Sequence, residues 1–388
     1  MGDVLVVLCP GQGAQTPGFL SPWLDVDGCR EQLEAWSAAV GFDLVATGTE
    51  PDADVVDTAV AQPLLVAAGL TTARLLGPLP TTTALVGHSV GEITAAGIAG
   101  ALRADDGLAF ARQRGRAMAA AATVAPSGMT AILGGDPDEV AAVVGAAGCW
   151  LANYNAPGQL VAAGARDALQ RLADAPPAGA RLRPLAVAGA FHTPLMQPAL
   201  DELSELPLTP AAHMLRHVIV SNADGGVVTT AEDLLRRLLG QIVAPVRFDL
   251  CLQTLQSLGV TATLEVAPGG VLTAIIKRAL PDVTAVALRT PDDLDDARRL
   301  VRDHADVGDV TSLEWRLVVA PASGTLLRDE RINGSLVYPS DSLALVSQRS
   351  GSVTISSPVS GEVVEWLVED GDPVQQGQPV ARIAPAVQ

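Results

Sequence analysis

Positive charge is scarce in this chain. Its 388 residues carry 25 Lys and Arg against 43 Asp and Glu, a formal net charge of −18. Non-specific attraction to nucleic acid or anionic lipid is excluded at that balance, and any acidic partner has to meet a local cluster of cations. Cysteine is scarce too. Cys9, Cys29, Cys149 and Cys251 lie far apart with no C-x-x-C pair, which excludes a zinc knuckle or a disulfide framework and fits a reducing compartment. No stretch sustains the ~18 apolar residues of a membrane span, because Gln62, Pro63 and Arg74 interrupt the most apolar candidate. The first residues lack the cationic start and long apolar run of a secretory leader. A cytoplasmic protein with no nucleic-acid or membrane partner is expected.

What is present is a folded interior. Hydrophobic residues make up 48% and charged residues 18%, with Gly and Pro spread without period, and at ~100–200 residues per domain the length suggests two or three domains. Val4–Leu8 reads as a fully buried strand because its apolar run is continuous, and it ends in Pro10-Gly11-Gln12-Gly13. Residues 57–79 carry helical periodicity. Thr82–Val86 is a short strand running into Gly87-His88-Ser89-Val90-Gly91 and then the Ala-rich segment after Glu92. G-x-S-x-G is common by chance, but between a buried strand and a helix it matches a nucleophile elbow. From about 128 to 188 the order becomes strand (129–133), helix (136–144), strands (150–154 and 159–163), helix (165–173) and strand (182–187), the βαββαβ order of a ferredoxin-like insert. Val218–Asn222 and Thr263–Val266 resume the larger domain.

A serine hydroxyl needs a base within hydrogen-bond reach and donors for the developing oxyanion. The elbow exposes Ser89 and points the N–H of Val90 toward the same space, and the Gly11-Gln12-Gly13 turn is the candidate for a second donor. Five histidines are available as the base. His88 adjoins the serine but points elsewhere on an elbow, so it reads as scaffold; His304 sits in a charged segment and reads as solvated. His213 and His217 are spaced i, i+4 with no third ligand cluster, so no metal site is expected. His192, in Gly189-Ala190-Phe191-His192-Thr193-Pro194, remains. Arg114, among Arg112 and Arg116, reads on spacing alone as a solvated helix arginine.

These motifs resemble a family. Gly11–Gln15, Gly87–Glu92, Arg114-Gly115, Gly128-Met129, Asn153–Gln159, Gly189–His192, Gln241 with Pro245-Val246, and Glu265–Gly269 follow in order the pattern of the malonyl-CoA:acyl carrier protein transacylases over residues ~4–300. The resemblance implies Ser89 as the acylated nucleophile and His192 as its base. It gives the N–H groups of Gln12 and Val90 as the oxyanion hole and the Gln241 carbonyl as the group orienting the histidine. Arg114 is implied to fork onto the malonyl carboxylate, with Phe191 and Met129 also contacting substrate. Leaving such an arginine unpaired costs roughly 3–5 kcal/mol, so acetyl-CoA should be poorer by about 10²–10³ or more, whereas one extra methyl on the substrate is worth only ~1–3 kcal/mol. The implied partners are malonyl-CoA and acyl carrier protein in a ping-pong reaction. CoA thioester is the substrate, and no cofactor is implied. Lys277 and Arg278, with Arg112 and Arg116, are the candidate cations for an acidic carrier. The same residues leave open a malonyl transferase serving a malonate decarboxylase carrier, a serine thioesterase or esterase, and an inactive scaffold.

The last ~75 residues differ. Ser323-Gly324, Gly334 and Leu343 recur as Ser360-Gly361, Gly371 and Val380, each 37 positions later, which predicts a pseudo-twofold β-barrel or sandwich. Ser357–Glu362 and Glu369–Gln378 resemble a biotinyl/lipoyl carrier domain whose modified lysine belongs in the hairpin at 347–352. Ser350 stands in its place, and Lys277 is the only lysine of the chain, so covalent biotin or lipoate is excluded and residues 316–388 are expected to serve docking, self-association or stability. The expected fold is α/β. It has an α/β-hydrolase-like parallel-sheet core (1–125 and 189–303), a ferredoxin-like subdomain (126–188), a linker (304–315) and a small β domain (316–388).

Overall fold

The structure, a computed structural model, describes residues 4–187, 189–304, 316–329, 336–338, 341–348, 351–359 and 361–385. Up to His304 the strands are β1 (Val4–Cys9), β2 (Ala84–Gly87), β3 (Ser127–Gly134), β4 (Trp150–Ala156), β5 (Gln159–Ala165), β6 (Ala180–Pro184), β7 (Met214–Val220), β8 (Val227–Thr230), β9 (Val246–Arg247), β10 (Val260–Glu265) and β11 (Thr284–Ala287). All six residues of β1 are buried, as a continuous apolar run requires. β1 lies inside a six-stranded sheet of order β11-β10-β1-β2-β7-β8. Its partners β2 and β10 both run parallel to it, so the turns after Cys9, Gly87 and Glu265 gather at one edge, where α/β sheets place their ligands. The expected helix at 57–79 is Thr58–Leu75, capped by Asp57, whose side chain accepts from the Ala59 N–H. β7 begins at Met214, before the expected 218, so His217 lies in a strand and His213 precedes it. A helical pairing of the two is thereby removed. Among the described residues no group of three or more His, Cys, Asp or Glu side chains is placed to hold a metal ion. Nor is any helix long and apolar enough to cross a membrane.

The insert forms its own sheet, β6-β3-β5-β4-β9, with helices Pro137–Ala146 and Arg166–Asp174 in the predicted places. β3 pairs antiparallel with β5 and β6, and β4 antiparallel with β5. Two features were not foreseen. β9, a two-residue strand from the core, adds to β4 in parallel; two residues carry no legible pattern. The strand expected to run to Val187 stops at Pro184: the Leu185 N–H still donates to the Met129 carbonyl, but the Val187 N–H turns back onto the Leu185 carbonyl, and Leu185 to Val187 line a cavity.

The chain divides into two units, Met1–Ala223 with Thr229–His304, and Asp224–Val228 with Ala305–Gln388. The sequence reading kept 224–228 with the core; the grouping follows spatial contacts that no local pattern announces. The C-terminal strands are β12 (Arg316–Val319), β13 (Gly324–Arg328), β14 (Leu336–Val337), β15 (Ser342–Gln348), β16 (Gly351–Ser356), β17 (Gly361–Trp366), β18 (Pro373–Val374) and β19 (Pro379–Pro385). They make two four-stranded sheets, β12-β19-β17-β14 and β16-β15-β13-β18. A shift of 37 carries the pair Thr325↔Ser347 onto Glu362↔Ala384. The core repeats with it: Leu326, Leu343 and Val346 correspond to Val363, Val380 and Ile383, all buried. The hairpin joining β15 to β16 closes at Gln348↔Gly351. Its turn residues Arg349 and Ser350, together with Gly334, Ser360 and the linker residues 305–315, lie outside the described residues.

Candidate active site

The elbow is built by close backbone approach. A Cβ on Gly91 would lie 2.0 Å from the Cys9 carbonyl oxygen, and one on Gly87 would lie 2.1 Å from the Glu92 nitrogen, so both glycines of the motif are fixed by backbone that cannot yield. Between them Ser89 takes φ of +52°, a left-handed conformation uncommon for serine. The Ser89 N–H donates to Asn222 Oδ1 at 2.8 Å, and the Asn222 amide donates to the Gly87 carbonyl at 2.7 Å. Asn222 therefore clamps the strained turn from another strand end. The helix Gly91–Ala99 follows. The N–H groups of Val90 and Gln12 take no protein partner among the described residues, and both residues line the cavity in front of Ser89.

His192 is buried and also adopts a left-handed backbone, with φ of +61°. Its Nε2 stands 2.7 Å from Ser89 Oγ and its Nδ1 stands 2.8 Å from the Gln241 carbonyl oxygen. A carbonyl can only accept, so Nδ1 carries the proton and Nε2 is the acceptor for the serine O–H. Burial, with the Arg114 charge second, pushes the imidazole down to about 3, and the ring stays neutral at physiological pH. Among the described residues no carboxylate is hydrogen-bonded to it, in contrast to the Asp or Glu that a hydrolase triad would supply.

Arg114 is not solvated. It is 1% exposed, with Nη1 donating to Gln62 Oε1 at 2.7 Å, and Nη2 to Gln241 Oε1 at 2.8 Å and to Ser89 Oγ at 3.3 Å. Burial lowers it to about 10, against a raising influence of Glu92, so it remains a cation. Its helix, Ala104–Val124, buries Ala111, Arg114, Gly115 and Met118 together. A charge on that i, i+3, i+4, i+7 stripe was the available signal, and the spacing of Arg112 and Arg116 obscured it. Ser89, His192, Arg114, Met129, Phe191, Gln12 and Val90 all line one cavity of about 460 Å³. Gln241 stands behind it.

Three residues to which the sequence reading gave no role complete the site: Gln62, Asn222 and Glu92. Glu92 is 1% exposed. Its Oε1 accepts from the Asn222 N–H and its Oε2 from the Gln241 side-chain amide, both at 2.6 Å. Burial raises its carboxyl to about 7. His88, read as scaffold, has Nε2 2.8 Å from Asn155 Oδ1 and its ring tilted over Phe248, and both His88 and Asn155 line the cavity. His304, read as solvated, is half-buried and also bonds the Leu300 carbonyl and Thr261 Oγ1. Among the candidate docking cations, Lys277, Arg278 and Arg116 are exposed. Arg112 instead donates to the Ala59 carbonyl at 2.6 Å and lies over the Phe42 ring. The helix bearing Lys277 and Arg278 lends Val271, Leu272 and Ile275 to the cavity wall.

An elbow serine, a carbonyl-oriented histidine and a buried arginine on an α/β-hydrolase-like core define a serine acyl-transfer enzyme. Residues 6–312 match the family described as Acyl transferase domain, and the chain belongs to that family. Residues 317–383 match the family described as Biotin-requiring enzyme. The malonyl CoA-acyl carrier protein transacylase of Mycobacterium bovis is 46% identical over 302 residues, spanning 76% of this chain and 100% of its own length. The crystal structure of the Mycobacterium tuberculosis transacylase superposes with a TM-score of 0.72 at 45% identity, covering 76% of this chain and 99% of its own. A type II PKS acyl-carrier protein in complex with its malonyl-transacylase also matches, through a chain 30% identical with a TM-score of 0.72 that covers 77% of this chain and 100% of its own.

Proposed function

We propose that this chain transfers a malonyl group from malonyl-CoA to the phosphopantetheine thiol of an acyl carrier protein through a malonyl ester on Ser89. The observation that carries the reading is the position of Arg114, a buried cation whose Nη2 is 3.3 Å from the nucleophilic oxygen. A planar guanidinium there holds the free carboxylate of malonyl while the thioester carbonyl lies over Ser89. Ser89 Oγ attacks that carbonyl as its proton passes to His192 Nε2. The tetrahedral oxyanion faces the N–H groups of Val90 and Gln12, and the proton leaves with the CoA thiol. In the second half His192 takes the proton of the carrier thiol, the thiolate attacks the ester carbonyl, and Ser89 recovers its proton as the C–O bond breaks. Atoms and charge balance with no further cofactor.

Lys277 and Arg278, exposed on a helix that walls the cavity, are the cations proposed to meet an acidic carrier. A cytoplasmic location belongs to the same reading and is supported by the CoA substrate and by four free, buried cysteines. For residues 316–388 the proposed role is docking, self-association or stabilisation without a covalent prosthetic group, since the chain's single lysine lies in the acyltransferase unit.

The test is intact-protein mass after brief mixing with malonyl-CoA, then with phosphopantetheinylated acyl carrier protein. Wild type should gain one malonyl adduct and discharge it onto the carrier faster than to water, and Ser89→Ala should gain none. Discharge to water alone would establish a hydrolase instead. Loading only of a malonate decarboxylase carrier would reassign the partner.

A further inference from the structure

Glu92 does not line the cavity in front of Ser89, yet both of its oxygens hold the active site. Oε1 accepts from the main-chain N–H of Asn222 and Oε2 from the side-chain amide of Gln241. Asn222 holds the Ser89 N–H. Gln241 holds Arg114 through its side-chain oxygen and His192 through its main-chain oxygen. The Ser221 side chain bonds Glu92 as well; the Asn222 and Gln241 N–H groups can only donate, so a group that accepts on those two sides is needed to satisfy them. The carboxylate also fixes which way the Gln241 amide points: its NH₂ must face Glu92, so its oxygen must face Arg114.

We propose that Glu92 is a positioning residue whose ionised carboxylate orients the Gln241 amide and thereby Arg114, making Glu92 a determinant of the preference for carboxyl-bearing over neutral acyl groups. The inference rests on the malonyl-transfer reading above. A charge balance supports it. Glu92 is the anion whose field acts on Arg114, and the Gln241 amide lies between them as a dipole aligned with both charges. The guanidinium is thus held with Nη2 toward Ser89 before substrate arrives, which is preorganisation of the carboxylate site.

An amide side chain at position 92 cannot do the same. If its oxygen faces Gln241, its NH₂ confronts the Asn222 N–H; if it is turned round, its NH₂ confronts the Gln241 NH₂. In the second case Gln241 rotates to present its own NH₂ to Arg114, donor against donor, and the arginine loses its 2.8 Å contact. Glu92 is buried, so bulk solvent does not reach either mismatch.

The experiment compares wild type, Glu92→Gln, Glu92→Asp and Gln241→Met for Ser89 acylation by malonyl-CoA and by acetyl-CoA, with kcat and KM separated. Glu92→Gln is expected to lower the malonyl-to-acetyl ratio of kcat/KM at least tenfold, mainly through KM for malonyl-CoA. Glu92→Asp, which keeps two acceptors, should recover part of the ratio. Gln241→Met keeps the carbonyl that holds His192 and removes only the side-chain relay; it should reproduce the loss of ratio and provides the test if Glu92→Gln does not fold. Equal losses for both thioesters, or an unchanged ratio in Gln241→Met, would overturn the inference. If wild type itself acquires no malonyl adduct, the failure lies with malonyl transfer and not with Glu92.

Discussion

Arg114→Met removes the charge and keeps an unbranched apolar stem, which ends two bonds short of the terminal guanidinium nitrogens. In the free enzyme the guanidinium is satisfied by Gln62, Gln241 and Ser89, the contact to Ser89 being the longest at 3.3 Å. A malonyl carboxylate displaces that weakest contact and makes a charge-assisted pair in its place. Without the arginine the carboxylate enters a buried site unpaired. Breaking such a pair costs roughly 3–5 kcal/mol, and at ~1.4 kcal/mol per decade this is about two to three and a half decades. The cavity, about 460 Å³, has room for water to follow the carboxylate, so the lower part of that range applies: kcat/KM for malonyl-CoA should fall by ~10²–10³. Acetyl-CoA never uses the cation, and methionine presents it with an apolar surface, so its rate should hold or rise. The assay is the initial rate of Ser89 adduct formation by intact mass with each thioester at sub-saturating concentration. A parallel loss for both would refute carboxylate recognition and show instead that Arg114 acts on the serine.

Gly91→Ala should abolish soluble protein or lower stability by more than the ~1–3 kcal/mol of ordinary overpacking, since its Cβ would meet the Cys9 carbonyl at 2.0 Å; a thermal melt equal to wild type would contradict the close approach. The acid limb of kcat/KM should fall near pH 7 and belong to Glu92. His192, held down to about 3, is already neutral there, whereas Glu92, raised to about 7 by burial, loses on protonation the charge that orders its contacts to Asn222, Gln241 and Ser221; the neighbouring Arg114 and Arg237 remain charged. Activity is therefore full above pH 7 and lost as pH falls. Stability runs the other way: the native carboxyl keeps its proton to higher pH than the unfolded one, so this contribution is present below the ordinary carboxylate range and lost as pH rises through 7. A limb near pH 4 would return the titration to His192. Incubation with biotin ligase or lipoate ligase should add no mass, because residues 316–388 contain no lysine. Removing residues 305–388 should leave malonyl adduct formation intact, and a change in assembly state or melting temperature would show which role those residues serve.

Local pattern was enough for much of this protein. The order of strand, tight turn and helix around Ser89 is written in contiguous residues, and so is the alternation of the insert, because each depends on apolar periodicity and on glycines at fixed offsets. The 37-residue echo in the C-terminal domain predicted a pseudo-twofold β fold, and the structure extends the echo into the core, where Leu326 matches Val363 and Leu343 matches Val380. The sequence alone also excluded a covalent carrier function, since no fold can modify a lysine that is absent.

What the tertiary structure decided is the wiring of the site. Glu92 meets Gln241 across 149 positions, and Asn222 meets Ser89 across 133. A hydrogen bond between such distant residues leaves no trace in composition or period, because the geometry that makes it is set by which strands lie side by side in the sheet. The same holds for Arg114. Three arginines in a row on a helix look alike until packing buries the one that shares a face with Ala111, Gly115 and Met118, and its meaning comes from the oxygens that three other elements bring to it.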